Sequence, residues 1–129
     1  TGAVKGNVAC DRTDDMITVV RQEFAKQLAG PKMVTGDLNG DPEDFESLVA
    51  MVESEGWTDL GAKADLWGGV AMQPTCRTNA GAKETRRDYI IVNEYLFPAV
   101  DGFRVQVSDD LPTHKPVQVR IATEKLAII

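Results

Sequence analysis

The chain has 129 residues, with 14 Lys and Arg against 20 Asp and Glu, one His and a formal charge of −6. Apolar residues at 43% and charged residues at 26% are globular proportions, which excludes wholesale disorder, and a chain of this length can bury about two thirds of its unfolded surface without a disulfide or a metal. Cys10 and Cys76 lack CxxC spacing and His114 is alone, which excludes a thiolate zinc site, a disulfide-dense scaffold and a multi-His centre, so any metal would need oxygen ligands.

The acidic balance argues against a broad phosphate-coating surface and leaves room for a local basic cleft. No apolar run approaches the roughly 18 residues of a membrane span. Thr1 stands first with neither a basic n-region nor an apolar h-region behind it, so no signal peptide is expected and an intracellular location is favoured.

In chain order, Gly2 to Cys10 has no clear period and reads as loop or a weak strand. Thr13 is a good N-cap, and Asp14 and Asp15 suit the positive end of a helix whose inner face is Met16, Val19, Val20, Phe24 and Leu28, stopped by Gly30-Pro31. Lys32 to Thr35 is a short apolar run, expected as a buried strand that ends at Gly36-Asp37. A second helix opens at Asp41 with Pro42 in its first position, presents Phe45, Leu48, Val49 and Val52 inward, and ends at Gly56. Residues 61–85 are mostly loop, with Trp57 and Trp67 as isolated anchors. Arg87 to Val92 reads as a strand, as do the alternating runs Phe103–Ser108 and Val117–Ala122. No repeat or linker divides residues 1–129, which form one α+β unit.

Three segments carry chemistry. Asp37 and Asn39 in Gly36-Asp37-Leu38-Asn39 are hard oxygen donors just past a strand, although Gly, Asn and Asp also make ordinary turns. A calcium loop starting at Asp37 fails, because Pro42 and Leu48 stand where it needs Gly and a bidentate Glu. His114 lies on a Pro-flanked loop with acids nearby. Asp88, at the head of an apolar strand, needs a partner to be buried, either Arg86 or Arg87 in a structural pair or His114 in an acid/base pair.

Taken in order, GDLN, Pro74-Thr75, RRDYI and THKPV resemble the motifs of the exonuclease–endonuclease–phosphatase superfamily, which includes apurinic-site endonucleases, DNase-I-like nucleases, retrotransposon endonuclease domains and lipid phosphodiesterases. The matching positions are Gly36, Asp37 and Asn39, then Arg86, Asp88 and Tyr89, then Thr113, His114, Pro116 and Val117, with Trp57-Thr58-Asp59-Leu60 where the family has a Gly-x-x-Asp-hydrophobic step. The resemblance covers the C-terminal half of that family's domain. It implies about half of a four-layer α/β sandwich, a mainly antiparallel sheet with two helices on one face, with the missing N-terminal half or another chain covering the sheet.

The resemblance further implies metal-dependent hydrolysis of a phosphate ester. The leading expectation is a phosphodiester-cleaving endonuclease, the retrotransposon type included, with nucleic acid as substrate. A lipid or small-phosphate phosphatase, or a silent binding module on the same fold, is the alternative. Asp37, Asn39, Asp88 and His114 would be catalytic, with Asp37 and Asn39 also holding Mg²⁺ or Mn²⁺, and Thr75, Arg86 and Thr113 would support them. Thr113 replaces the family's acid and brings no charge, so weaker metal affinity is expected unless Asp109 or Asp110 folds back to supply it.

Overall fold

Asp88–Val92 (β3) is the centre of the molecule, because both of its faces are covered. Tyr89 and Ile91 face a core made with Cys10, Ile17, Phe45, Leu48, Met51 and Trp57. Ile90 and Val92 face a second core with Leu60, Ala64, Leu96, Phe103 and Val105. Two-sided burial explains why this strand reads as an unbroken apolar run rather than an alternation.

A computed structural model of the chain describes residues 8–77, 83–107 and 113–126. Its elements are α1 (Val8–Lys26), β1 (Met33–Asp37), α2 (Glu46–Ser54), β2 (Thr58–Asp59), β3, β4 (Val100–Val105) and β5 (Val117–Ile121). This is an α+β fold with antiparallel pairing in every ladder. One sheet has the order β1-β3-β2 and the other is the β4–β5 pair, so the strands expected as one sheet form two hydrogen-bonded pieces that share the second core. The helices α1 and α2 lie together on the outer face of β3. Among the described residues β1 pairs only with β3 and β5 only with β4, which leaves each with one open edge.

Several local expectations are corrected. Helix α1 starts at Val8, not near Thr13. The Asp14 carboxylate, expected to suit the positive end of its own helix, accepts the Ser47 N–H in the first turn of α2 at 2.8 Å. Cys10 anchors the earlier turn, its thiol donating to the Asp44 carbonyl at 2.9 Å. The buried stripe of α1 runs through Cys10, Ile17 and Phe24, the last stacked on Trp57 at 5.5 Å, whereas Met16, Val19 and Leu28 are exposed and Leu28 lies past the helix end.

In the second helical segment, Pro42–Asp44 forms a separate 3-10 turn ahead of α2, with the Asp44 carboxylate accepting the Asp41 N–H. Met51 takes the inward place expected of Val52, which is exposed. Gly56 then adopts φ +78, a left-handed conformation that ends the helix cheaply only for glycine. Strand β1 forms where expected but is an edge, with Thr35, Gly36 and Asp37 exposed. Within 61–85, Gly61–Trp67 is a 3-10 helix rather than loop. Strand β4 begins at Val100 and ends before Val107, which is exposed. Among the described residues no helix is long and apolar enough to cross a membrane.

Candidate active site

The β1–β3 register sets Asp37 directly opposite Asp88. Two carboxylates facing each other across a ladder repel, so the pair needs a cationic neighbour. His114 supplies one from the start of β5. The bridge between Cys76 and His114 brings the 75–77 segment alongside the 113–115 segment. In this arrangement His114 Nδ1 lies 2.8 Å from Asp88 Oδ2, and Nε2 lies 3.6 Å from Asp37 Oδ2. Ligand atoms of Asp37, Asp88 and His114 all fall within 4.8 Å of one another. Asp37 and Asp88 line a cleft of about 330 Å³ with Thr35, Ile90 and Val117, and His114 stands beside them. Asp88 therefore takes the acid/base pairing with His114 and not the structural pairing with an arginine.

Asp37 Oδ1 accepts the Asn39 N–H at 3.0 Å, closing a tight turn in which Asn39 has φ 57, a left-handed conformation that Asn tolerates better than most residues. The Asn39 amide oxygen accepts Arg87 Nη1 at 2.8 Å. Tyr89, buried in the helix-side core, donates its hydroxyl to the Gly40 carbonyl at 2.7 Å and holds the far end of the same loop.

Thr75 is 1% exposed, and its hydroxyl oxygen accepts the N–H groups of Arg87 at 3.0 Å and Asp88 at 3.1 Å. It thus fixes the entry of β3 and the placement of Asp88. Arg86 is not brought into the group. It is buried and makes a two-pronged ion pair with Asp59 at 2.9 and 2.7 Å, with its guanidinium 4.5 Å from the Tyr89 ring centre. Burial opposes its charge, but the Asp59 hydrogen bond and charge win and its pKa is raised. Thr113 meets the 75–77 segment through its carbonyl, which accepts the Arg77 N–H at 2.9 Å. Asp109 and Asp110 lie outside the described residues.

The hydrogen bond to Asp88 raises the His114 pKa above 6.5; burial opposes this, the charges of Asp88 and Asp37 add to it, and Arg87 works against it. With Nδ1–H committed to Asp88, Nε2 is the atom left to offer, as a donor when the ring is charged and as a lone pair when neutral. Cys76 Sγ lies 3.8 Å from Nε2, and burial pushes its thiol pKa up, so it stays a neutral neighbour. Asp37 and Asp88, two hard carboxylates beside an imidazole, could hold an oxygen-preferring divalent cation, whereas Asn39, expected to share that task with Asp37, gives its oxygen to Arg87.

A pH signature follows. Between 6.5 and the raised value the folded chain keeps the His114 proton and the unfolded chain has lost it, so stability falls as pH rises through that window and is full below it. Thermal melts taken upward from about pH 6 should show this decline. Asp88→Asn should flatten it, and an unchanged slope in that variant would mean that Asp88 is not its source.

Two residues in this constellation were not singled out from sequence for the roles they play. The sequence offers Arg87 only as a salt-bridge partner for Asp88, and Tyr89 only as part of a motif. No family model matches the chain, and no curated protein does. Among solved structures, a mannosyl-6-phosphatase from Bacteroides thetaiotaomicron is similar, with a TM-score of 0.53 and 21% identity over 84% of this chain and 43% of that one. The chain spans less than half the length of that structure. The likeness is one of fold, over part of that structure.

Proposed function

We propose that the chain is the C-terminal part of a metal-dependent phosphoesterase of the exonuclease–endonuclease–phosphatase kind, acting on the phosphodiester bonds of nucleic acid. The observation that carries this reading is the meeting of Asp37, Asp88 and His114, drawn from three distant segments, at the mouth of one cleft. Mg²⁺ or Mn²⁺ held by Asp37 and Asp88 would supply charge neutralisation at the phosphate. Charged His114 donates from Nε2 to a phosphate oxygen as negative charge builds, and Asp88 keeps the ring in the tautomer and orientation that make this donation available. Asn39, with its oxygen taken by Arg87, has its NH₂ to offer to the same phosphate. A small-phosphate phosphatase is the second reading, supported by the shared fold with the mannosyl-6-phosphatase.

The test is a Mg²⁺ and Mn²⁺ titration of the 129-residue chain followed by NMR, paired with hydrolysis assays on DNA, RNA, a model phosphodiester and a sugar phosphate. Ion-dependent shifts at Asp37, Asp88 and His114 that vanish in Asp37→Ala are expected, together with very low turnover, since this chain spans less than half of its structural neighbour. Robust turnover abolished by Asp37→Ala would mean that the chain is sufficient by itself, and the preferred substrate would separate the two readings. Neither ion nor phosphate binding would leave a silent module on this fold.

A further inference from the structure

Arg87 is buried at 7% exposure, an unusual place for a guanidinium unless its donors are matched. Two of its donors have fixed acceptors: Nε donates to Thr85 Oγ1 at 2.8 Å and Nη1 to Asn39 Oδ1 at 2.8 Å. Its main chain grips the same loop, because the Leu38 N–H donates to the Arg87 carbonyl at 2.9 Å while the Arg87 N–H is held by Thr75. The turn that carries Asp37 and Asn39 is therefore clamped at two points by one residue, through its backbone and through its side chain. A carboxamide can rotate to present either oxygen or NH₂, and at an exposed position nothing selects between them. Here a permanently charged donor can only bond the oxygen.

We propose that Arg87 is a positioning residue, which locks the Asn39 carboxamide with its oxygen turned to the guanidinium and its NH₂ presented as a hydrogen-bond donor for a phosphate oxygen at the Asp37–Asp88–His114 cleft. The phosphate part of this inference rests on the function proposed above; the lock itself does not. It also assigns Asn39 to the anion and away from the cation, since the oxygen that a cation would want is already shared with a positive group. The residue between the motif's Arg86 and Asp88, just ahead of β3, thereby gains a specific task.

The test uses the full chain and the variants Arg87→Met, Arg87→Lys, Asn39→Gly and the Arg87→Met/Asn39→Gly double. Glycine is chosen because it keeps the left-handed backbone of position 39. The first readout is the Asn39 side-chain NH₂ signal. It should be sharp and shifted in the natural chain and collapse to the values of a freely rotating carboxamide in Arg87→Met. Identical signals in the two proteins would overturn the lock, whatever phosphate does.

The second readout is the affinity for inorganic phosphate in the presence of Mg²⁺, followed at the His114 ring nitrogens. Arg87→Met and Asn39→Gly should each weaken it by about tenfold, and the double variant by no more than either single one. Arg87→Lys should recover little, since an ammonium lacks the planar fork. Losses that multiply in the double variant would overturn the proposal in favour of direct contact between Arg87 and phosphate. No phosphate binding by the natural chain would count against the proposed function, and the carboxamide signal would then decide the lock alone.

Discussion

Asp59→Ala is expected to destabilise the chain by about 3–5 kcal/mol, a large share of the roughly 5–15 kcal/mol that holds a domain of this kind together. Both members of the Arg86–Asp59 pair have side chains only 6% exposed, so removing the carboxylate strands a guanidinium in the interior. Its other neighbours are the Tyr89 ring face and the Met72 sulfur, neither of which can replace a two-pronged anion. The cost is that of an orphaned charge, not the net worth of the pair. Converting both partners together, as Arg86→Met with Asp59→Leu, should therefore recover most of the loss. Urea unfolding at constant slope measures both, and a loss below about 1 kcal/mol for Asp59→Ala would mean that water reaches Arg86.

In the active protein, His114→Ala is expected to lower phosphoester turnover by about 10²–10⁴-fold, the usual loss for a positioned acid/base group. Asp88→Asn should lose less. It keeps an oxygen acceptor for Nδ1–H but no longer sustains the charged ring, so activity should survive best at low pH and fall earlier as pH rises. Adding Asp88→Asn to His114→Ala should cost further, because a carboxylate proposed to hold the cation with Asp37 is then weakened as well as the ring lost. A pH–rate profile of the three variants checks this. Equal profiles for the natural protein and Asp88→Asn would remove Asp88 from the proton chemistry. Full turnover in His114→Ala would remove His114 itself.

The sequence makes the strands and the site's membership legible for a simple reason. Both are written in short, contiguous signals: the apolar run Tyr89–Val92, the alternation of β5, and motifs that set Asp37 and Asp88 at strand ends and His114 just ahead of β5. What it hides is where long side chains go. Asp14 reads as an acid for the positive end of α1 and serves α2, 33 positions away. Arg86 and Arg87 are adjacent and alike in composition. The backbone leading into β3 sends one to Asp59 in the interior and the other to Asn39 at the site. Nothing local distinguishes them before the sheet forms. Gly61 is similar, reading as loop, while a Cβ there would sit 2.8 Å from Arg86 Nη1. The inward face of α1 was misread because Met16 and Val19 are apolar residues that remain in water.

The central place of β3 has a consequence for how the polypeptide is made. Its ladder partner β1 is finished about fifty residues earlier, and both helices come before it as well. During synthesis α1, β1 and α2 leave the ribosome with apolar stripes made for a strand that does not yet exist. Local contacts between α1 and α2 can form early, but neither core can close until Val92 has emerged. Closing so long a loop adds only modestly to the entropy cost, so the delay is set by translation more than by thermodynamics. Through that interval the nascent chain presents Phe45, Leu48, Met51 and Trp57 unburied, and this is when a holding chaperone has most to offer it.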